Sequence, residues 1–183
     1  SLTALAALAV LALIGFFVFP GHTFLQSDTL IYVPMFDRMM DPTLFEREIL
    51  TSKQHTTFTA YDEIAILLNR VTTLDFQGIL GAIQLLMRYA GLLGVFWIAT
   101  SLGVSEAGAV LVAALAGLGA FVHGPAVMTI ELEPVPRGFS THLVYLALGL
   151  LTHRRFSNAA IAVAVALLFH FPAVIPVLLV LGV

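Results

Sequence analysis

Asp28 is the first acid after an uncharged stretch of eighteen residues, Leu2–Phe19, and stands nine positions beyond its end. A carboxylate at the mouth of such a stretch can activate an acceptor hydroxyl as a general base, or supply an oxygen ligand to a divalent cation. Its place just ahead of Tyr32–Met40 also suits a helix cap, a role in which Asp is favoured. Farther on, Glu131, Glu133 and Arg137 fall in Glu-Leu-Glu-Pro-Val-Pro-Arg. In an extended segment the two glutamates point the same way, so they and Asp28 can share a metal, while the planar donor fork of Arg137 suits a phosphate. The plainer alternative is a surface loop whose Glu and Arg pair with each other, which has little energetic consequence.

Two polar residues are set into apolar runs. Arg88 lies eleven residues past Gln77, and Gln84 precedes it by one turn on the same helical face. An ionisable group at that depth marks a functional site by default, with pairing to an acid of the neighbouring loop as the structural alternative. His170 stands before Pro172, where a helix break gives it a polar niche. His142 and His153 are almost three turns apart, a spacing that permits two pigments or haems. Neither they nor His22, His55 and His123 form a His-x-x-x-His or Glu-x-x-His pair, so pigment or haem ligation is not expected and a divalent cation is the one cofactor considered. Cysteine is absent, which excludes disulfides, thiolate zinc sites and Cys nucleophiles. No phosphate-binding Gly-rich loop, Gly-x-Ser-x-Gly elbow or His-Glu-x-x-His motif is present.

The elements that must position these residues are apolar helices. The 183 residues are 60% hydrophobic and 10% charged, with a mean hydropathy of +1.01. A soluble globule carries more than twice that share of charge, and disordered chains are poor in apolar residues, so both classes are excluded. A formal charge of −3 without a basic tract excludes nucleic acid as a partner. Five membrane segments are predicted: Leu2–Phe19, Phe76–Leu102, Ala107–Val122, Phe139–Leu151 and Ala159–Val183, the last broken near His170-Phe171-Pro172. The first has no basic flank or cleavage site and reads as a retained span. The third is rich in Ala and Gly, which let helix backbones approach closely, and is expected inside the bundle. The fourth is short and needs flanking polar residues or a buried, re-entrant position. The chain begins and ends inside apolar runs and reads as one membrane domain, 1–183, of a longer protein.

Between the first two spans, Pro20–Asp75 holds twelve of the nineteen charged residues. A loop of this length is usually functional. Asp41-Pro42 predicts a helix over Pro42–Leu50. Phe58–Thr72 predicts an amphipathic surface helix with Asp62, Glu63, Asn69 and Arg70 on its polar side and Ile66 as an intruder. Counting spans puts 20–75 and 123–138 on one face, with 101–106 and 152–158 on the other. Arg154 and Arg155 in the short turn place that second face in the cytoplasm and the long loop outside.

The order of these features resembles bacterial multi-pass membrane proteins of the GT-C glycosyltransferase superfamily. The likeness rests on Ser27-Asp28-Thr29-Leu30-Ile31-Tyr32-Val33-Pro34, on Asp41-Pro42-Thr43-Leu44-Phe45-Glu46-Arg47-Glu48, and on Pro136-Arg137 followed by Arg154-Arg155 and His170-Phe171-Pro172. It implies an all-α integral membrane fold, a first outer loop with surface helices, and transfer of sugar from a polyprenyl-phosphate donor at the outer face of the inner membrane, with Asp28 as the catalytic acid. Many members carry paired acids where this chain has Ser27-Asp28. A non-catalytic scaffold subunit of a larger membrane complex is the alternative. A transporter, suggested by Arg88 and the break at Pro172, comes third because no inverted repeat accompanies it.

Overall fold

The computed structural model describes residues 1–52, 60–122 and 127–181. Among these, eight helices follow in order: α1 (Leu2–Phe17), α2 (Thr29–Met40), α3 (Ile49–Ser52), α4 (Tyr61–Thr72), α5 (Phe76–Ser101), α6 (Glu106–Gly117), α7 (Pro136–Thr152) and α8 (Phe156–Leu181). A two-residue antiparallel pair, β1 (Phe121–Val122) and β2 (Val127–Met128), links α6 to α7. Two helices, Phe76–Ser101 and the Phe156–Leu179 part of α8, are long and apolar enough to cross a membrane; α1 and α6 are shorter apolar helices. His55, His123 and the start of the predicted Phe58–Thr72 helix lie outside the described residues.

Local signals explain where the helices begin. The Asp75 carboxylate accepts from the Gly78 N–H at 2.8 Å, and the Ser105 hydroxyl accepts from Gly108 at 3.3 Å. Each takes up a backbone donor that the first helical turn leaves unpaired. Pro136 opens α7 in the first turn, where an N–H would have no partner within the helix.

Helix α5 is the axis of the bundle. It runs parallel to α7: Gly91 meets His142, Gly94 meets Tyr145, and Thr100 reaches His153. Helix α1 runs the other way, with Gly15 beside Arg88. Helix α8 returns antiparallel to α7, where Ser140 meets Ala166. The segments before α2 and before α7 therefore gather at one end, with Thr23 N–H donating to the Leu132 carbonyl at 3.0 Å. The turns after α5 and α7 lie at the other end, joined through Thr100 and His153.

Glycine sets the α5–α7 spacing. A Cβ on Gly94 would lie 2.2 Å from the Tyr145 carbonyl oxygen, and one on Gly149 would lie 2.6 Å from that of Gly94. Backbone blocks both, so no rotamer change relieves the clash. Gly94→Ala is expected to lower the thermal unfolding midpoint of the purified chain at a cost of about 1–3 kcal/mol, the range for overpacked cores. At Gly15 an added Cβ meets nothing within 4 Å. Gly15→Ala should therefore be neutral or stabilising by up to about 1 kcal/mol, since alanine is the better helix former. Equal midpoints for the two variants would contradict the close crossing.

The break in α8 falls where the sequence puts it. His170 has φ −158° and ψ 93°, and Pro172 follows. A non-helical His170 frees the Ala166 carbonyl, and Pro172 has no N–H to offer Leu168. The Ser140 hydroxyl donates to Ala166 at 2.7 Å and the Ala60 N–H donates to Leu168 at 2.6 Å. The kink thereby provides the attachment point for α4, which also packs Tyr61, Ala65 and Ile66 into the core with Phe36, Phe139 and Phe169.

Four local expectations are corrected. The third apolar stretch does not continue as a helix to Val122: α6 ends at Gly117, and Gly119 adopts φ +78° against Ile130. Nor is α6 interior, since it buries only Ala109 and Ala113 and leaves Leu111 and Leu115 exposed. No helix forms over Pro42–Leu50. There Asp41 accepts from the Thr43 N–H and hydroxyl, Phe45 has φ +54°, and Arg38 donates to the carbonyls of Leu44 and Phe45, so only Ile49–Ser52 is helical. On α4 the expected polar side is split, with Asp62 and Ile66 buried against the bundle and Glu63 and Arg70 exposed. Val71, on the apolar side by spacing, is 72% exposed.

Candidate functional site

The foundation of the site is polar and lies inside the bundle. Arg88, 3% exposed, donates to three backbone carbonyls: Gly15 at 2.6 Å, Gly21 at 2.7 Å and Glu131 at 2.8 Å. Gly15 belongs to the last turn of α1, where unpaired carbonyls carry the negative end of the helix dipole. Phe16 lies beneath the guanidinium, 5.6 Å from ring centroid to Cζ. One turn earlier, Gln84 donates to the carbonyls of Glu131 and Leu132, both at 3.0 Å. Its side-chain oxygen is 2.6 Å from His22 Nδ1, so that nitrogen carries the proton. Arg88 thus meets carbonyls, and among the described residues it forms no ion pair; the alternative of pairing with a loop acid is not found. The shared face of Gln84 and Arg88 is the signal that was legible, and His22 is the member of this group that sequence reasoning missed.

On this platform residues 131–135 are pinned against the start of α2. Glu133, 7% exposed, accepts from the N–H groups of Gln26 and Ser27, each at 2.7 Å, from the Thr29 hydroxyl at 2.9 Å and from the Thr29 N–H at 3.2 Å. It does what a capping side chain of α2 itself would do, from a hundred residues away. Burial alone would raise the Glu133 carboxyl, but these four donors hold it below its ordinary value of 4.5. Beside it the buried Tyr61 hydroxyl donates to the Pro134 carbonyl, and burial first, then the surrounding acids and Tyr32, raise that phenol well above its ordinary range.

The Glu133 carboxyl predicts an acid dependence. Its folded value is lower than its unfolded one, so between the two the unfolded chain binds more protons. The contribution to stability is therefore complete above the unfolded value and is lost as pH falls through the folded one. Glu133→Gln should cost about 2–3 kcal/mol at neutral pH by removing charge-assisted bonds. It should also narrow the difference between midpoints measured at about pH 6 and about pH 3. An unchanged difference would show that another group carries the acid dependence.

Outside this layer sits an open ion-pair chain. Arg137 Nε donates to Glu131 Oε1 and its Nη1 donates to Asp28 Oδ2, both at 2.6 Å. The side chains of Asp28 and Arg137 are 28% and 35% exposed, and that of Glu131 is 12%. Asp28 occupies the N-cap position of α2 yet makes no side-chain capping bond, because Glu133 supplies the cap. Asp28 Oδ1 takes no hydrogen bond among the described residues. Tyr32 lies alongside: burial raises its phenol, and the Asp28 carboxylate adds to the effect. His170, at the α8 kink, accepts from the Ala173 N–H at 3.3 Å and lies within electrostatic reach of Arg137.

All four residues expected to converge, Asp28, Glu131, Glu133 and Arg137, therefore meet at one end of the bundle, and His170 borders them. Glu131 and Glu133 do not serve a common ligand, since one holds Arg137 and the other holds α2. Among the described residues no three acids or histidines are grouped to hold a metal ion. The Arg137 guanidinium lies between Asp28 and Glu131, where a shared divalent cation would have to sit, so these residues as arranged do not fit the metal. His142 and His153 do not converge on a ligand either. His142 is buried with Nδ1 on the Gly138 carbonyl, and His153 lies at the far end against Trp97.

Comparisons with protein-family models, with curated proteins and with solved structures return no match to this chain. The class defined by the fold is an all-helical bundle with two helices apolar and long enough to cross a membrane.

Proposed function

We propose that the chain is part of a GT-C-like integral membrane protein of the bacterial inner membrane that transfers sugar from a polyprenyl-phosphate donor, with Asp28 as general base at the outer face. The observation that carries this reading is the half-open Asp28 carboxylate, oriented by Arg137 through one oxygen while the other remains available. A base needs both orientation and access to its substrate, and this arrangement supplies both. The membrane setting is supported by exposed apolar side chains: Leu13, Ile14 and Phe17 on α1, Leu115 on α6, Ile161 and Leu168 on α8. Apolar surface of this extent marks a membrane or partner interface. In this reading α1, α5, α6, α7 and α8 are the five membrane or re-entrant segments, and Leu67, Val71 and Leu74 rest α4 on the lipid. Arg154 and Arg155 then face the cytoplasm.

A non-catalytic subunit is the second reading, favoured by the engagement of every carboxylate of the cluster with Arg137 or with α2. Sugar transfer by the full-length protein in native membranes separates the two. Transfer that depends on Asp28 supports the enzyme, and absence of transfer from the wild-type protein supports the scaffold.

A further inference from the structure

The end of the bundle opposite Asp28 carries a second feature that the proposed transfer does not use. Ten of the eleven acids lie in 28–75 and 131–133, and only Glu106 belongs to this far end, on α6. Arg154 and Arg155 are exposed here, and among the described residues neither joins an ion pair. The turn that holds them is fixed. Arg154 N–H donates to Leu151 and Arg155 N–H donates to Leu150, both at 2.9 Å, closing α7 in a Schellman motif. Arg154 occupies the left-handed position of that motif at φ +57°, where glycine is the favoured residue. A position suited to glycine is held by a cation, and such outliers point to function. Arg155 is braced over Trp97, 5.8 Å from Cζ to the ring centroid.

Next to this turn are two concavities with a common wall. One, of about 430 Å³, is lined by Arg154, Arg155, Phe156, Ser157 and Asn158. The other, of about 330 Å³, is almost wholly apolar and runs along α8 from Phe156 to Leu167, with Leu151, Ala160 and Ala164 among its lining. Phe156 borders both. Eleven residues of helix span roughly 16 Å, which suits the upper part of one acyl chain. A cationic, hydrogen-bonding cup joined to an apolar groove matches one chemistry.

We infer that residues 154–167 form a binding site for a single anionic phospholipid, its phosphate between Arg154 and Arg155 and one acyl chain in the groove beside Ala160 and Ala164. The inference uses the membrane setting of the chain and not the transfer chemistry, which lies at the other end.

The protein's one tryptophan reports on the site, because Trp97 packs against the same buried cluster, Ala147, Leu150, Ala159 and Ala162, as Leu151 and Val163 of the groove. The purified full-length chain is placed in phosphatidylcholine vesicles containing either brominated phosphatidylglycerol or brominated phosphatidylcholine, and quenching of Trp97 is measured. Phosphatidylglycerol should quench at far lower mole fraction, with a preference on the order of 30-fold for two surface arginines. Arg154→Gln combined with Arg155→Gln should abolish that preference while circular dichroism stays as in wild type. Ala164→Leu, a change at an exposed position, should reduce quenching by filling the groove with both arginines intact. Equal quenching by the two lipids, or a preference that survives in the double variant, would overturn the site. Loss of the preference on adding inorganic phosphate would reveal an anion site without a lipid, and would also overturn it. Sugar transfer should be unaffected by these variants, so failure here is distinguishable from failure of the transferase reading.

Discussion

Under the proposed transferase function, Asp28→Asn is expected to slow sugar transfer by about 10²- to 10⁴-fold, the range that a positioned general base contributes, while leaving the fold intact. The two effects separate because of how the residue is held. Asparagine keeps an oxygen for Arg137 Nη1 but has no basic site, so orientation survives and proton acceptance does not. The pair is partly exposed, and ion pairs in such settings contribute about 0–1 kcal/mol. The start of α2 is secured by Glu133 rather than by Asp28, so the helix should not fray. Transfer rates in membranes, together with the unfolding midpoint of the same preparation, check both halves. Wild-type transfer by the variant would remove Asp28 from catalysis. A midpoint lowered as far as that of Glu133→Gln would instead assign it a structural part.

Arg88→Met is expected to destabilise the chain by about 1–3 kcal/mol, the cost of leaving a buried carbonyl without its donor. Methionine fills a similar volume but donates nothing, so the Gly21 carbonyl loses its donor, while Gly15 keeps the Gly21 N–H and Glu131 keeps Gln84. Arg88→Lys should recover only part of the loss, since one ammonium on a flexible stem cannot serve three carbonyls as a planar guanidinium does. Unfolding midpoints of the three proteins test this. Full stability in Arg88→Met with loss of transfer would return Arg88 to the functional role that its depth first suggested.

The two predictions also show how far the sequence reaches. Gln84 and Arg88 are one turn apart, and helical periodicity places them on one face whatever the fold. Pro172 cannot donate to Leu168, so the break at His170 is chemically required. Alternating runs of apolar and charged residues put 20–75 and 123–138 at the same end, which is why Asp28 and Arg137 were expected to be neighbours and are found 2.6 Å apart.

Other features were illegible because they depend on partners distant in the chain. Asp41-Pro42 is a sound helix start, yet Arg38 takes the Leu44 and Phe45 carbonyls while the Asp41 carboxylate accepts from the Thr43 N–H and hydroxyl, and the turn wins. Ile66 appeared to intrude on a polar face, but α4 packs on α5 and α2 and Ile66 joins the apolar core there, so the intruder is the buried residue. Nothing in Glu-Leu-Glu distinguishes Glu131 from Glu133. One holds Arg137 and the other caps α2 only because Arg88 and Gln84 grip the intervening carbonyls and fix the rotation of the segment. Sequence alone determined the apolar helices, their break and the end at which the acids collect, since these follow from hydropathy, covalent geometry and the direction of the chain. Tertiary structure decided what each acid binds, because a carboxylate takes the nearest donors and only packing determines which donors those are.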